Sequence, residues 1–267
     1  MISEATQAVI SKHKGKPVLK AEGVTMRFGG LTAVDNFNLE LHPGELVGLI
    51  GPNGAGKTTI FNALTGVYIP TEGTVTINDV VINNKKASEV VKIGAARTFQ
   101  NIRLFKDLTT LENVMIAYDQ FIDYNLAQGM FRTKKFWTEE AKARETGLEL
   151  LKIFDMDKFA DVKAKNMPYG QQRKLEIARA LATNPQVLML DEPAAGMNPN
   201  ETEELMKTIE FIRDKFDITI LLIEHDMSLV MGICERIVVV DYGKTIAEGV
   251  PDEIRHNPEV IKAYLGE

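Results

Sequence analysis

The sequence has a single cysteine, fewer basic than acidic residues and no long hydrophobic run. Because Cys234 is alone, an internal disulfide is excluded and a reducing compartment is the natural environment. The 31 lysines and arginines face 37 acidic residues, and the net charge of -6 disfavours a nucleic-acid binder, which relies on basic side chains. The best apolar stretch, Ile218 to Ile223, is far shorter than the ~20 residues that span a bilayer.

Residues 1–16 contain no apolar core of the kind that a signal peptide has, so we expect no secretion signal there. We therefore expect a cytosolic protein, and we predict that residues 1–16 form a mobile arm. At 267 residues the chain is long enough to bury a full core, as one large domain or as two small ones. The composition, with 45% hydrophobic and 25% charged residues, is typical of a soluble globular domain.

The segment Leu46 to Leu64 combines a strand, a glycine-rich loop and a helix. An apolar run ends at Ile50, and apolar residues recur at helical spacing after Lys57. The loop fits G-x-x-x-x-G-K-[ST], in which backbone N–H groups and a helix N-terminus bind phosphate oxygens. We predict that Lys57 reaches the β and γ phosphates of a nucleotide and that the Thr58 hydroxyl ligates Mg²⁺. The predicted nucleotide-binding residues here are Gly51, Pro52, Asn53, Gly54, Ala55, Gly56, Lys57, Thr58 and Thr59.

Later strands alternate with helices, and polar residues follow them. A buried strand at Val187 to Leu190 ends in Asp191 and Glu192, and another at Ile218 to Ile223 ends in Glu224-His225-Asp226. The carboxyl ends of parallel strands meet at one edge of a sheet. We therefore predict an open parallel sheet that binds its ligand at that edge.

Three further patterns complete the expected organisation. Thr74 to Ile77 and Val80 to Ile82 flank the polar pair Asn78-Asp79, which predicts a hairpin in a first, antiparallel sheet. From Gln100 to about Lys165 the periodicity is helical with almost no strand signal, so we predict a helical insertion. Asn200 is predicted to cap the helix after the carboxylate pair.

The order of these motifs is more specific than any one of them. The phosphate loop is followed by Gln100, by the run PYGQQR from Pro168, by LMLDEP through Asp191, and by EHD at Glu224. In this order they resemble the ATP-binding cassette (ABC) ATPases over nearly the whole chain. PYGQQR, the run DEPAAGMNP from Asp191 and the ending AYLGE from Ala263 resemble the LivG-type subunits of bacterial branched-chain amino acid importers.

The resemblance implies an α/β fold of the ABC ATPase type. This fold has a P-loop NTPase core with a mixed, mainly parallel sheet, an N-terminal antiparallel β subdomain and a helical insertion. Residues 17–267 would then form one ABC ATPase domain. Its core and antiparallel subdomain would take residues 17–99 and 167–267, and its helical subdomain residues 100–166.

The resemblance also assigns roles to single residues. Asp191 resembles the aspartate that binds Mg²⁺, and Glu192 the general base that polarises the attacking water. His225 would contact the γ phosphate, Gln100 would contact Mg²⁺ and ATP, and Phe28 would stack on the adenine. Taken singly, an aromatic residue such as Phe28 more often belongs to a core, and a lone histidine or glutamine is usually solvated.

The segment Tyr169-Gly170-Gln171 resembles the family signature, which in this family serves the facing subunit of a dimer that sandwiches two ATP molecules. Pro168 and Tyr169 replace the serine and first glycine of the pattern L-S-G-G-Q, and Asn198 replaces the usual aspartate. A lost hydroxyl contact to a charged phosphate would cost roughly 1.5–3 kcal/mol. The departures favour a heterodimer with a second, related ATPase, and a homodimer is the alternative.

The function implied by the resemblance is ATP hydrolysis coupled to import, with ATP and Mg²⁺ as cofactors. Expected partners are two integral membrane permease subunits and an extracellular or periplasmic solute-binding protein, with no nucleic acid. The chain would lie on the cytoplasmic face of the cell membrane. Leucine, isoleucine and valine are the expected solutes, with urea, other amino acids and short amides as alternatives.

Two other functions stay open at this stage. One is a soluble cassette ATPase of DNA repair, translation or signalling. Such proteins commonly carry two fused cassettes, coiled coils or basic arms, whereas this chain has one cassette and acidic charge. The other is a nucleotide-binding regulator without turnover, and the presence of both Asp191 and Glu192 argues against it.

Overall fold

The computed structural model describes residues 3–13 and 15–265. The chain divides into two compact units, the first drawn from Met1–Arg97 and Gln186–Glu267 and the second from Thr98–Pro185. The first unit holds all the strands named here, and the second unit is helical. The strands are β1 (Leu19–Phe28), β2 (Leu31–Leu41), β3 (Leu46–Ile50), β4 (Glu72–Ile77), β5 (Val80–Val81), β6 (Ala95–Arg97), β7 (Val187–Asp191), β8 (Thr219–Ile223), β9 (Arg236–Asp241) and β10 (Lys244–Gly249).

Eleven α-helices are described besides the strands. In chain order they are α1 (Glu4–Lys12), α2 (Lys57–Leu64), α3 (Ala87–Ile93), α4 (Thr110–Tyr118), α5 (Leu126–Met130), α6 (Lys134–Ile153), α7 (Tyr169–Leu181), α8 (Pro199–Phe216), α9 (Met227–Ile233), α10 (Pro251–Arg255) and α11 (Pro258–Leu265). Across the described residues, none of these helices is both long enough and apolar enough to cross a membrane.

The strands of the first unit form two sheets. The six-stranded sheet has the order β10-β9-β3-β8-β7-β6, and its strands are parallel except for the edge strand β10. The four-stranded sheet has the order β2-β1-β4-β5 and is antiparallel. These sheets confirm the predicted α/β fold with a mainly parallel core and an N-terminal antiparallel sheet.

Local sequence signals explain the central strands and the hairpin. Every residue of β3, β7 and β8 is buried, as expected for parallel strands covered on both faces. In the hairpin of β4 and β5, Asn78 and Asp79 have φ angles of 50° and 62°. Two left-handed residues give the turn whose twist matches the flanking strands, and Asn and Asp tolerate that conformation.

The core of the first unit lies around the helix that follows β3. One cluster of buried apolar side chains joins residues of β1, β2 and β4 to residues of β3, β7, β8 and α2. Phe61 and Leu64 of α2 belong to it and are fully buried. The helix that begins at the phosphate loop is therefore fixed by the main core, and the loop is held at both ends by buried elements.

The second unit is a small helical body. Its helix α7 packs against α4 and α6, and buried apolar residues such as Val114, Leu151 and Leu175 come from all three helices. The predicted helical subdomain ends at residue 166, whereas the compact second unit continues to Pro185 and so includes α7. The difference arises because α7 packs on α4 and α6, although it follows them only after two short 3-10 turns.

The structure differs from the predicted mobile arm over residues 1–16. Its described part forms α1, whose N-cap is Ser3. The hydroxyls of Ser3 and Thr6 donate to the Glu253 carboxylate at 2.9 and 3.0 Å. Residues 1, 2 and 14 lie outside the described residues. A partner 250 positions away leaves no local signal, so the docking of α1 on Glu253 could not be foreseen, although the Ser3 cap and the acidic first turn favour the helix itself.

Candidate nucleotide-binding site

The phosphate loop connects β3 to α2, as the sequence predicts. Gly51, Gly54 and Gly56 have φ angles of 155°, 81° and 100°. A Cβ atom at Gly51 would lie 2.0 Å from the Val240 carbonyl oxygen, and one at Gly56 would lie 2.7 Å from the Ala33 oxygen. Only glycine fits these close approaches. No side chain caps the N-terminus of α2, so this end presents backbone N–H groups and the positive end of the helix dipole to an anion.

The Lys57 side chain folds back onto the loop. Its ammonium donates hydrogen bonds to the carbonyl oxygens of Gly51 and Pro52 at 2.6 and 2.8 Å. Partial burial lowers the pKa of Lys57, while the nearby Glu192 carboxylate acts in the opposite direction and raises it. The loop therefore fixes a cationic group at the start of α2, where a phosphate chain would need one.

Two distant segments support the phosphate loop, and the sequence did not reveal either of them. In the turn between β9 and β10, the Gly243 N–H donates to the Ala55 oxygen at 2.9 Å, and the Gly243 oxygen accepts from the Asp35 N–H. The second segment is α11, where Tyr264 lies near Gly51. Burial raises the pKa of Tyr264, and the neighbouring Gly51 backbone acts in the opposite direction.

Asp191 ends β7 and is nearly buried. Its Oδ2 accepts from Nη2 of Arg97 at 2.6 Å, and both side chains are less than 10% exposed. Thr58 lies one residue into α2 and is exposed. A hydroxyl and a carboxylate are hard oxygen donors that suit Mg²⁺. Within the described ranges, no three His, Cys, Asp or Glu side chains group to hold a metal.

Glu192 and His225 follow neighbouring strands and lie side by side. The last residue of β7 pairs with Ile223 of β8, and the Glu192 N–H donates to the Ile223 oxygen at 2.9 Å. Glu192 has a φ angle of 46°, which is uncommon outside glycine. His225 Nδ1 lies 3.7 Å from Oε2 of Glu192, and the histidine is largely exposed. The parallel register thus brings the predicted base and the predicted γ-phosphate contact together.

Glu224 holds the loop that follows Glu192, a role that the sequence did not reveal. Its buried Oε1 accepts from the Ala194 N–H at 2.7 Å, and burial raises the pKa of Glu224.

The N-cap of the helix after this loop lies two residues before the predicted cap. The prediction of Asn200 as the cap was wrong, because the N-cap of α8 is Asn198. The Asn198 side chain accepts from the N–H groups of Asn200 and Glu201, and the Glu201 carboxylate accepts from the Asn198 N–H. This reciprocal pair is a capping box, and it satisfies the free N–H groups at the start of α8.

Phe28 ends β1 and exposes 45% of its surface. Its ring meets Tyr68 edge to face, with the centroids 5.5 Å apart. The ring is therefore a partly exposed aromatic surface and not a core residue. This is the state that stacking on an adenine requires. Tyr68, which orients the ring, was missed, since nothing local connects two residues that lie 40 positions apart.

Gln100 belongs to the second unit, where its segment is tied to α7. The buried Arg173 guanidinium donates to the backbone oxygens of Phe99 and Gln100 at 2.6 and 2.7 Å, and to Glu176 at 2.9 Å. Glu176 in turn accepts from the Arg103 N–H at 3.1 Å. No role for Arg173 could be predicted from the sequence pattern. Its position on α7 links the segment around Gln100 to the helix that carries the signature.

The signature residues begin that same helix. Pro168 is the N-cap of α7 and supplies no side-chain cap, and the first helical residue, Tyr169, is 46% exposed. Gly170 and Gln171 follow within the first turn. The helix thus begins without a side-chain cap on its N–H groups, as an anion-binding end does. The structure brings Gln100 and the signature together in the second unit, and the phosphate loop, Asp191, Glu192 and His225 together in the first.

Comparison with family models gives two matches. The family described as "ABC transporter" matches residues 34–195. The family described as "Branched-chain amino acid ATP-binding cassette transporter" matches residues 244–267. The first match includes the phosphate loop, Gln100, the signature and the carboxylate pair. The second covers β10, α10 and α11.

Individual proteins show the same likeness. The high-affinity branched-chain amino acid transport ATP-binding protein LivG of Escherichia coli K12 is 49% identical over 252 residues, which cover 94% of this chain and 99% of that protein. A crystal structure of the ADP conformation of MJ1267, an ATP-binding cassette of an ABC transporter, aligns with a TM-score of 0.81. It is 30% identical and covers 95% of this chain and all of that chain.

A third likeness concerns a dimer. The dimeric structure of a post-hydrolysis state of the ATP-binding cassette MJ0796, bound to ADP and phosphate, aligns with a TM-score of 0.74. It is 28% identical and covers 87% of this chain and 98% of that chain.

Proposed function

This chain belongs to the ABC transporter family, and from that premise we propose that it is the ATP-hydrolysing subunit of an importer for branched-chain amino acids. The observation that carries the proposal is the grouping at the ends of β3, β7 and β8. The glycine loop with Lys57 follows β3, Asp191 ends β7 with Glu192 directly after it, and His225 follows β8. These three strands are neighbours in the six-stranded sheet. LivG of Escherichia coli, which is 49% identical over 252 residues, is named a high-affinity branched-chain amino acid transport ATP-binding protein.

The chemistry follows from the position of each group. The loop N–H groups and Lys57 hold the β and γ phosphates, and the exposed Phe28 ring stacks on the adenine. Thr58 and Asp191 would hold Mg²⁺, which would supply charge neutralisation on the phosphate oxygens. Glu192, about one-fifth exposed, accepts hydrogen bonds from the attacking water and polarises it.

His225 lies beside the base and reaches outward. Its side chain is 66% exposed, and its Nδ1 is 3.7 Å from Oε2 of Glu192, which is too long for a hydrogen bond. The ring is therefore not locked to the carboxylate. In the proposed function it turns to contact the γ phosphate, while Glu192 takes the proton of the water.

The signature indicates a dimer. Tyr169, Gly170 and Gln171 stand at the start of α7, and we assign them to the phosphate chain that a facing subunit binds. The related cassette MJ0796 has been seen as a dimer with ADP and phosphate. Because Pro168 and Tyr169 remove the serine hydroxyl of the general signature, we propose an asymmetric pair with a second, related ATPase, and the homodimer is the alternative outcome.

The proposed partners are two integral membrane permease subunits and a solute-binding protein on the other side of the membrane. The cassette would then work as a peripheral subunit on the inner face. Gln100 is positioned to transmit a conformational change to the permeases, because its backbone oxygen accepts a hydrogen bond from Arg173 of the signature helix. Leucine, isoleucine and valine are the proposed solutes.

Purification of the tagged chain from a detergent extract of its native cells tests this function. We expect two hydrophobic permease subunits and a second cassette ATPase to co-purify. A matched extract without detergent should yield the cassettes without the permeases. Recovery of ribosomes or DNA in place of membrane subunits would instead identify a soluble cassette ATPase and contradict the proposal.

A further inference from the structure

We propose that Arg97 is a positioning residue of the Mg²⁺ site, which holds the Asp191 carboxylate and sets the Mg²⁺ concentration that nucleotide binding requires. The inference rests on the proposed function, since it concerns the same nucleotide site. Neither the phosphate-loop pattern nor the carboxylate pair predicts a cation at this position.

The contacts of Arg97 join three elements of the first unit. It is the last residue of β6, and it pairs with Met189 of β7, two residues before Asp191. One terminal nitrogen donates to Asp191 Oδ2 at 2.6 Å, and the other donates to the Asn62 side-chain oxygen of α2 at 2.6 Å. The guanidinium also lies 5.4 Å from the centre of the Phe61 ring. Arg97 thus fixes the carboxylate of β7 against the helix that begins at the phosphate loop.

The Arg97–Asp191 interaction is strong because both side chains are buried. The Arg97 and Asp191 side chains are 8% and 6% exposed, so water screens their interaction poorly. A guanidinium is always charged at ordinary pH and presents its donors in a rigid fork. Asp191 is therefore held in one orientation by a permanent positive charge before any metal ion arrives.

The same charge opposes the binding of a metal ion. Mg²⁺ at Thr58 and Asp191 would bring two positive charges to a carboxylate that already has a cationic partner. In a poorly screened site, like charges repel strongly over several ångströms. Arg97 therefore weakens Mg²⁺ binding while it orients the ligand. Removal of its charge should lower the Mg²⁺ requirement and should not raise it.

This inference is tested by measuring how tightly the full chain binds a fluorescent ADP at a series of free Mg²⁺ concentrations. We expect Arg97→Met to lower the Mg²⁺ concentration at the midpoint by about tenfold. This fold-change corresponds to a small part of the repulsion between two poorly screened positive charges. In EDTA the ADP affinity should change by less than about threefold, because the phosphate loop itself is untouched. The matched control Arg97→Lys keeps the positive charge, and its midpoint should stay within about twofold of the unmodified chain. A purely structural role would weaken ADP binding equally with and without Mg²⁺.

The outcomes separate this inference from the proposed function. An unshifted or raised midpoint in Arg97→Met, with normal binding by the unmodified chain, overturns only the role of Arg97. Absence of ADP binding by the unmodified chain at every Mg²⁺ concentration overturns the proposed function and this inference with it.

Arg97→Met leaves a buried carboxylate without its guanidinium, so a second measurement uses the unmodified chain. The guanidinium signal of Arg97 in nitrogen-15 NMR spectra can be assigned by its loss in Arg97→Lys. We expect that signal to move when Mg²⁺ is added to the ADP-bound chain, and to move much less when ADP is added alone. A signal that Mg²⁺ leaves unchanged contradicts the inference.

Discussion

Glu192→Gln is expected to lower ATP hydrolysis at the site that contains it by ~100-fold or more and so to remove most of the turnover of the assembled complex, while ATP still binds. The glutamine has the same shape but cannot take a proton from the attacking water. The backbone of Glu192 is fixed by its bond to Ile223, and this bond does not depend on the side chain, so the substitution keeps residue 192 in place. The second ATP site should add little turnover, because Pro168 and Tyr169 complete it.

A steady-state ATPase assay and a fluorescent-ATP binding assay, run on the same preparation, measure the two halves of this expectation. Glu203→Gln is the matched control. Glu203 is an exposed residue of α8 that pairs with Lys207, and its loss should leave turnover within about twofold. Normal hydrolysis in the Glu192 variant would remove Glu192 from the catalytic role.

Gly51→Ala is expected to weaken ATP binding strongly by distorting the phosphate loop. The new Cβ would lie 2.0 Å from the Val240 oxygen, which belongs to the backbone of β9 and cannot rotate away. Movement of residue 51 would also displace one of the two carbonyl groups that hold Lys57. We expect the affinity for ATP to fall by ~100-fold, or roughly 2.7 kcal/mol. The free energy of unfolding should fall by about 2 kcal/mol, which lowers Tm by roughly 5 °C.

Gly30→Ala is the matched control for this prediction. Gly30 is exposed, and a Cβ added there would meet no atom within 4 Å. Calorimetry and fluorescent-ATP titration should therefore give values close to those of the unmodified chain. If Gly51→Ala binds ATP as tightly as Gly30→Ala does, the close packing of the loop against β9 is not what shapes the phosphate site.

The parts of the structure that the sequence predicted are those with local signals. The phosphate loop, the buried strands β7 and β8, and the Asn78-Asp79 hairpin each depend on residues that are neighbours in the chain. Their order then identified the family, and the fold and the matched relatives confirm it. The binding and catalytic roles of the individual residues stay predictions.

The parts that the sequence did not predict depend on partners far along the chain. In the sequence, Arg97 looks like an ordinary residue of a short strand. Only the fold, in which β6 pairs with β7, brings it to Asp191. Helix α1 is held by Glu253, and the loop after Glu192 is held by Glu224. Polar contacts of this kind carry no periodicity, and no local pattern could have placed them.

ATP hydrolysis by the complete complex in lipid vesicles, with its solute-binding protein, tests the central claim most directly. The rate should rise on addition of leucine, isoleucine or valine, and glycine or urea should leave it near its basal value. The same vesicles containing the Glu192→Gln subunit should show no rise with any solute. Stimulation by urea and not by the branched-chain amino acids would contradict the assigned substrate, and hydrolysis that no solute changes would contradict the role as an importer motor.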